Sequence, residues 1–167
     1  MSEVLKMQRK FFQNFIDTTM NGTTPSFYRL GKDLEEFNIE MNPDTETSKN
    51  ILGESTFNHN GYEINASAEP FYARTGDALF EALQNIIDTG AQYEGCATTM
   101  IEVHLWDAGT TSGTYKAFKQ PCFLVPTSYG GDTSGYQIPF TVNYVGEKKP
   151  GYFTPDGSGS GTFAPDT

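Results

Sequence analysis

The sequence has few of the residue types on which most catalytic and metal sites depend. Its 167 residues include two histidines and two cysteines: His59, His104, Cys96 and Cys122. The cysteines form no Cys-x-x-Cys pair, so we expect buried free thiols, with a disulfide as the second interpretation. His104 shares a strand face with Glu102, but the sequence offers no obvious third ligand for a metal. We therefore predict no metal and no cofactor.

Sequence motifs of the common enzyme classes are also missing. There is no Gly-x-Ser-x-Gly elbow, no phosphate loop and no dinucleotide fingerprint. Residues 131–135 depart from the Gly-Asp-Ser-Gly run of serine nucleophiles at its third position, and a hairpin turn explains them. Residues 156–161 lack the second acidic ligand and the closing glutamate of a calcium loop, so a solvated linker is expected. We predict that the protein is not an enzyme.

Long apolar runs and positive charge are scarce as well. No apolar run reaches the roughly eighteen residues of a membrane span, and Lys6, Gln8 and Arg9 interrupt the N-terminal segment, which is not a secretory signal. Lys and Arg number 11 and Asp and Glu 21, for a net charge of −10. Such a protein should not bind nucleic acid through its phosphates. The charge either serves solubility or forms a surface that faces DNA without binding it.

The residues that are abundant, Gly, Tyr, Phe and Thr, favour strands and tight turns. Phe37, Ile39 and Met41 alternate with polar neighbours, and residues 136–144 continue the same period of two. Pro139 lies within that second run and predicts an edge strand or a bulge. Further along the chain, the pair at 60–61, Asn-Gly, indicates hairpin structure.

One helix is predicted among the strands. Apolar residues share one face from Leu79 to Ile86, Thr75 or Asp77 can cap the start, and Gly90 can end it. The strands and helices do not alternate as in parallel α/β proteins. The predicted fold is therefore mostly β, with two packed antiparallel sheets in a sandwich or barrel and one flanking α-helix.

The chain divides by composition into three predicted parts. Residues 1–26 form an N-terminal arm, in which apolar residues at a helix-like spacing predict an amphipathic helix or a segment that orders against a neighbour. Residues 27–153 form the β-domain, with a long exposed loop at 42–50. Residues 154–167 are rich in Gly, Ser, Pro and Asp and predict a flexible tail.

Four segments resemble, in the same order, blocks of the major tail tube proteins of siphophages that infect Gram-positive hosts. They are FYRLGKDLEEFNI at 27–39, KNILGES at 49–55, YARTGDALF at 72–80 and TSYGGDTSGYQIPF at 127–140. The resemblance covers about residues 27–146, whereas the first twenty-five residues and the Gly/Ser tail match no block.

This resemblance implies a tail-tube fold and a structural role in the virion. Members of the family form rings, expected to be hexameric, whose inner sheets join into one barrel. The rings stack around the tape measure protein into a tube through which DNA is ejected. The implied partners are further copies of the chain, the tape measure protein, and the tail tip and tail terminator proteins. DNA would pass without specific binding, and assembly would take place in the host cytoplasm.

Two sets of residues are candidates for this assembly. Glu36, Asn38 and Glu40 form the polar face of a predicted strand and are expected to face the lumen of the tube. The predicted loop, or alternatively the N-terminal arm, is expected to drive ring stacking. The loop candidates are Asn42, Pro43, Asp44, Thr45, Glu46, Thr47, Ser48, Lys49 and Asn50.

Three other interpretations of the sequence are alternatives to this one. A carbohydrate-binding β-sandwich of a phage tail fibre would present aromatic residues on exposed strand faces and would stay monomeric. A secreted hydrolase would need a signal and a catalytic constellation, and neither is found. A tailocin tube, a gene transfer agent tube or a tail terminator would share the fold and would not be distinguished by sequence.

Overall fold

The computed structural model describes residues 5–166, apart from the side chain of Asp33. Within that range the chain forms one α-helix, α1 (Ala78–Thr89), and thirteen strands. The strands are β1 (Phe12–Asp17), β2 (Phe27–Asp33), β3 (Phe37–Glu40), β4 (Pro43–Lys49), β5 (Ser55–Tyr62), β6 (Asn65–Ala68), β7 (Ala97–Ala108), β8 (Tyr115–Pro126), β9 (Gly130–Asp132), β10 (Gly135–Gln137), β11 (Phe140–Tyr144), β12 (Lys149–Pro155) and β13 (Gly161–Pro165).

Nine of these strands form one curled antiparallel sheet. Its main path runs β2-β1-β7-β8-β11-β6-β3, and β12 and β13 branch from β8. The branch arises because the first half of β8 pairs with β12 and its second half pairs with β11. The pairs β4–β5 and β9–β10 are separate two-stranded hairpins. The mostly β, antiparallel fold with one helix was therefore predicted correctly.

The larger core lies on the sheet face that α1 covers. Leu79 and Leu83 of the helix are fully buried in the same cluster as Met100, Leu124 and Phe140 from three strands. A helix with one apolar face must bury that face, and here the curled sheet provides the surface.

A second core lies on the opposite face of the same strands. Phe15 and Ile101 are adjacent in sequence to Ile16 and Met100 but point to this other face, where Phe153 of β12 covers them. The rings of Phe15 and Phe153 have centroids 4.4 Å apart. The β12–β13 hairpin thus acts as the second layer of a sandwich over β1, β7 and β8.

The predicted helix ends are confirmed. Asp77 precedes the helix, and its Oδ1 accepts a hydrogen bond from the backbone N–H of Leu79 at 3.0 Å. Gly90 follows the helix with a left-handed φ of 64°, and its N–H donates to the last-turn carbonyls of Ile86 and Ile87. The sequence signals were sufficient here because capping depends on local chemistry.

The predicted N-terminal helix is wrong. Residues 12–17 form β1, an inner strand that pairs with both β2 and β7. Phe15 and Ile16 are both buried, one in each core, because β1 is covered on both faces. A strand covered on both faces has no alternation of apolar and polar residues, so its apolar spacing resembled that of a helix. The predicted boundary at residue 26 separates β1 from its partner β2.

The expected flexible tail also has regular structure. Residues 161–165 form β13, which pairs with β12 across residues 151–155. Phe163 packs against the second core, and the N–H of Arg29 donates to the carbonyl of Gly159 at 3.1 Å. The glycines and serines that indicated flexibility form the turn between these strands.

The loop predicted at 42–50 is a strand, β4, although its predicted exposure is confirmed. Asn60 and Gly61 lie within β5 where the register shifts opposite Asp44 and Thr45, so they form a bulge and not the hairpin turn. Pro139 separates β10 from β11, and β11 is an inner strand between β8 and β6.

Candidate functional site: a projecting hairpin and an acidic strand face

The β4–β5 hairpin projects from the end of β3. Every residue of β4 is exposed. The hairpin joins the sheet at Asn42 and Glu63, where the N–H of Glu63 donates to the carbonyl of Asn42 at 3.3 Å and Asn42 Nδ2 donates to the carbonyl of Glu63 at 3.0 Å. These bonds hold the two strands together where they leave the sheet.

The tip of the hairpin is apolar, well defined and uncovered. Asn50 Oδ1 accepts hydrogen bonds from the N–H groups of Leu52 and Glu54 at 2.9 and 3.0 Å, which fixes the turn. Ile51 is fully exposed and Leu52 is 76% exposed. An ordered turn that presents two aliphatic side chains to solvent is a plausible contact point for another molecule.

One face of the hairpin carries aromatic rings. Phe57 lies opposite Thr47 and His59 lies opposite Thr45, so these pairs share a face. His59 and Tyr62 are in edge contact, with centroids 4.6 Å apart, and Phe57 is 66% exposed. An isolated two-stranded hairpin is marginally stable in water, so this exposed face would gain from contact with a partner.

The nine predicted stacking residues are β4 and the residue at each of its ends, so they form one strand of this hairpin. Asn42 ends the connection from β3, Pro43–Lys49 is β4, and Asn50 begins the turn. The stacking candidates predicted from the sequence did not include β5 or the tip. The pair Ile51-Leu52 within a polar stretch was the available signal.

The predicted lumen residues lie on or next to β3, at one edge of the main sheet. Glu36, Asn38 and Glu40 are all exposed, and Asn38 Nδ2 donates to Glu36 Oε1 at 2.6 Å. Phe37 between them is buried in the helix-side core. The alternation of apolar and polar residues in the sequence therefore corresponds to the two faces of β3.

The surroundings of these residues are polar and acidic. Asn38 lies opposite Ser67 of β6, which lies opposite Thr141 of β11. A shallow cleft of about 290 Å³ is lined by Glu36, Asn38, Glu40, Ser67 and Glu69. Three carboxylates in so small an area repel an anion such as a phosphate.

The histidine and cysteine side chains belong to the types most often found in metal and catalytic sites. His104 Nε2 and Lys148 Nζ lie 2.8 and 3.0 Å from the same oxygen of Glu102, Oε2. Among the described residues, no three His, Cys, Asp or Glu side chains are placed to hold a metal. Cys96 and Cys122 are free and buried as predicted, and burial raises the pKa of the Cys122 thiol to about 12.

The two turns that resembled catalytic or calcium motifs are closed by their own hydrogen bonds. Asp132 Oδ1 accepts from the N–H of Ser134 at 2.8 Å in the β9–β10 turn, and Asp156 Oδ1 accepts from the N–H of Ser158 at the same distance. Bonds from these serines lower the pKa of both carboxyl groups. The hairpin turn predicted at residues 131–135 is confirmed.

A basic cleft was not predicted from the sequence. It has a volume of about 880 Å³ beside β2 and the start of α1, and its cationic side chains are Arg29, Lys32 and Arg74. Arg74 lies far from the other two along the chain, so only the fold brings the three together. No helix in the described part of the chain has the length and apolarity to cross a membrane.

These features define an antiparallel β-sandwich with one covering helix, a projecting hairpin and an acidic edge. Its fold is similar to that of a chain in the tail of an empty gene transfer agent particle, solved by helical refinement with C6 symmetry. The TM-score is 0.56 and the identity 15%, over 86% of this chain and 97% of the other. At this identity the likeness shows the fold alone. No family model and no curated protein matches the sequence.

Proposed function

We propose that the protein is the structural subunit of a tail tube. In this proposal its copies form stacked rings, six copies to a ring, around a tape measure protein, and the tube conducts DNA at ejection. Its other partners would be the tail tip and tail terminator proteins, and its place would be the virion tail, assembled in the host cytoplasm. The proposed role is structural and requires no catalysis.

The observation that carries this proposal is the fold likeness. It extends over nearly the whole of a chain from a helical, six-fold symmetric tail. The four sequence blocks that resemble siphophage tube proteins point independently to the same kind of assembly. A tailocin tube or a gene transfer agent tube is the same proposal in a related particle.

The sheet edges support self-assembly. The main sheet ends at β2 on one side and β3 on the other. Open edges present unpaired backbone groups, which identical neighbours in a ring can pair. In the ring that we propose, Glu36, Asn38 and Glu40 face the lumen and the β4–β5 hairpin contacts the adjacent ring. An acidic lumen would let DNA slide without being held.

Electron microscopy of the purified protein tests the proposal directly. Negative-stain images should show rings or tubes with an open lumen, and sedimentation should give species far larger than the 18.5 kDa chain. Tape measure and tip proteins should be added where the chain alone does not assemble. Material that stays monomeric under all these conditions would contradict the function.

One surface favours a second candidate, a carbohydrate-binding module of a tail fibre. Trp106 is 46% exposed and its ring stacks on His104 with centroids 4.5 Å apart and an interplanar angle of 11°. Flat exposed aromatic rings can pack against sugars. Saturation-transfer NMR with host-wall glycans would detect such binding, and a monomer that binds a glycan through Trp106 would replace the tube proposal.

A further inference from the structure

We propose that the basic cleft beside β2 is the docking site for the acidic β4–β5 hairpin of a second copy of the chain. This inference rests on the proposed function and names the second half of the stacking contact. The hairpin supplies one side of the contact, and the cleft of a copy in the next ring supplies the other.

The cleft has an excess of positive charge. Arg29 and Lys32 are exposed, and neither forms an ion pair with any side chain that the structure describes. Arg74 also lines the cleft but already has an interaction partner. The carboxylate in the cleft, Asp77, accepts hydrogen bonds from the Leu79 N–H and the Tyr28 hydroxyl, so it serves the helix start. A carboxylate-bearing partner is the chemistry that this cleft fits.

The hairpin has the opposite charge. Over residues 43–62, Lys49 is the one basic residue, whereas the acidic residues are Asp44, Glu46 and Glu54. Asp44 and Glu46 lie on β4, where all residues are exposed. Charges arranged in this way steer association and fix which surfaces meet.

The two surfaces belong to different elements of the protomer, the cleft to β2 and the start of α1 and the hairpin to β4 and β5. The cleft residues Tyr28, Arg29 and Lys32 are distributed along β2, from its second residue to its sixth. The hairpin leaves from the end of β3, after Glu40.

In the contact that we propose, the hairpin of one copy reaches the cleft of a copy in the next ring. The seven residues of β4 extend about 23 Å at strand geometry, which gives the hairpin the reach of a separate arm. A contact between two different surfaces produces an open helical assembly when its rotation does not close into a ring, and a tube requires such a repeat along its axis.

A charge-exchange experiment tests the contact. Variant H carries Asp44→Lys and Glu46→Lys on the hairpin, and variant C carries Arg29→Glu and Lys32→Glu in the cleft. Each variant alone sets like charges against each other, so we expect at least a tenfold loss of tube mass in sedimentation, with rings retained. An equal mixture of H and C rings should restore tubes, because each hairpin then meets a cleft of opposite charge.

The outcomes separate the inference from the proposed function. If the unmodified protein forms no tubes, the proposed function fails. If it forms tubes and either H or C alone forms them equally well, the docking site is wrong and the function stands. If both variants stop at rings and the mixture does not recover, the two surfaces do not meet, and the inference is also overturned.

Two controls complete the design. Lys149→Glu reverses an exposed charge on β12 that does not line the cleft, and it should leave tube formation unchanged. Both test variants should melt within a few degrees of the unmodified protein, because their altered side chains are exposed. If variant C assembles normally but loses binding to a labelled DNA duplex that the unmodified protein binds, the cleft serves nucleic acid and the hairpin proposal is overturned.

Discussion

At the scale of single residues, Asp77 is the side chain whose removal should most clearly weaken α1. Its carboxylate accepts from the Leu79 N–H and from the Tyr28 hydroxyl, joining the helix start to β2. We expect Asp77→Ala to lower the free energy of unfolding by about 1 kcal/mol, the usual value of an N-cap. For a chain of this size that corresponds to about 2–4 °C in Tm by calorimetry.

Asp77→Asn is the matched control for this substitution, because asparagine caps helices about as well as aspartate. Its melting temperature should stay close to that of the unmodified protein. A loss as large as that of Asp77→Ala would show that the negative charge, and not the cap, stabilises the helix start.

The buried thiol of Cys122 predicts a pH dependence. Its pKa is raised by burial from 9.0 to about 12 in the folded protein. The unfolded chain therefore releases this proton first, so the stability contributed by the neutral thiol is present below pH 9 and is lost as the pH rises toward 12. We expect the free energy of unfolding in urea to fall less steeply over this window in Cys122→Ala.

The quantity to compare is the slope of the free energy of unfolding against pH, because Cys122→Ala also changes packing at every pH. One titrating group changes this slope by at most about 1.4 kcal/mol per pH unit. The pKa of the Tyr144 hydroxyl is also raised, first by burial and then by the charge of Cys122, so both proteins are compared in a Tyr144→Phe background. Equal slopes in the two proteins would mean that the thiol is accessible to water when folded.

At the scale of elements, we expect the β4–β5 hairpin to be needed for assembly but not for folding. Joining Asn42 to Glu63 through two glycines, with residues 43–62 removed, should leave both cores intact, since no residue of β4 or β5 belongs to either. We expect a change in Tm of only a few degrees. Electron microscopy should show rings without tubes.

A smaller change tests the hairpin tip alone. Ile51→Ser with Leu52→Ser keeps the Asn50 turn but removes the two exposed aliphatic side chains, and we expect shorter tubes. If the deletion variant still forms tubes of full length, the hairpin does not stack rings.

The same elements show what the sequence could and could not predict. The helix caps and the alternation around Phe37 were predicted correctly, because each depends on neighbours along the chain. β4 was predicted as a loop, since a strand exposed on both faces carries no apolar signal. The segment of β1 was predicted as an amphipathic helix or an arm that orders against a neighbour, since Phe15 and Ile16 are buried in two different cores and show no strand alternation. The basic cleft depends on tertiary structure that joins Arg74 to Arg29.

At the scale of the whole molecule, negative charge is distributed unevenly. The hairpin and the outer face of β3 are acidic, whereas the cleft beside β2 is basic. In the proposed tube the acidic strand faces line the lumen, and the hairpin carboxylates are used between rings. The acidic residues behind the net charge of −10 would then serve two surfaces, the hairpin and the outer face of β3, in addition to solubility.

The lumen assignment predicts that positive charge on β3 would trap DNA. Tubes that carry Glu36→Lys, Asn38→Lys and Glu40→Lys should retain a labelled duplex in a salt-dependent way, whereas unmodified tubes should not. The matched control carries Glu81→Lys, Asn85→Lys and Asp88→Lys on the exposed face of α1. Where the triple variant does not assemble, Asn38→Lys alone tests the same face.

Nuclease digestion then shows which side of the wall each set of lysines faces. DNA held inside a tube is shielded along its length, whereas DNA on the outside is cut as fast as free duplex. We therefore expect protection in the β3 variant and none in the α1 variant. Equal digestion in the two variants would place the face of Glu36, Asn38 and Glu40 on the outer wall, because a lumen-facing strand cannot present its lysines to an enzyme outside the tube.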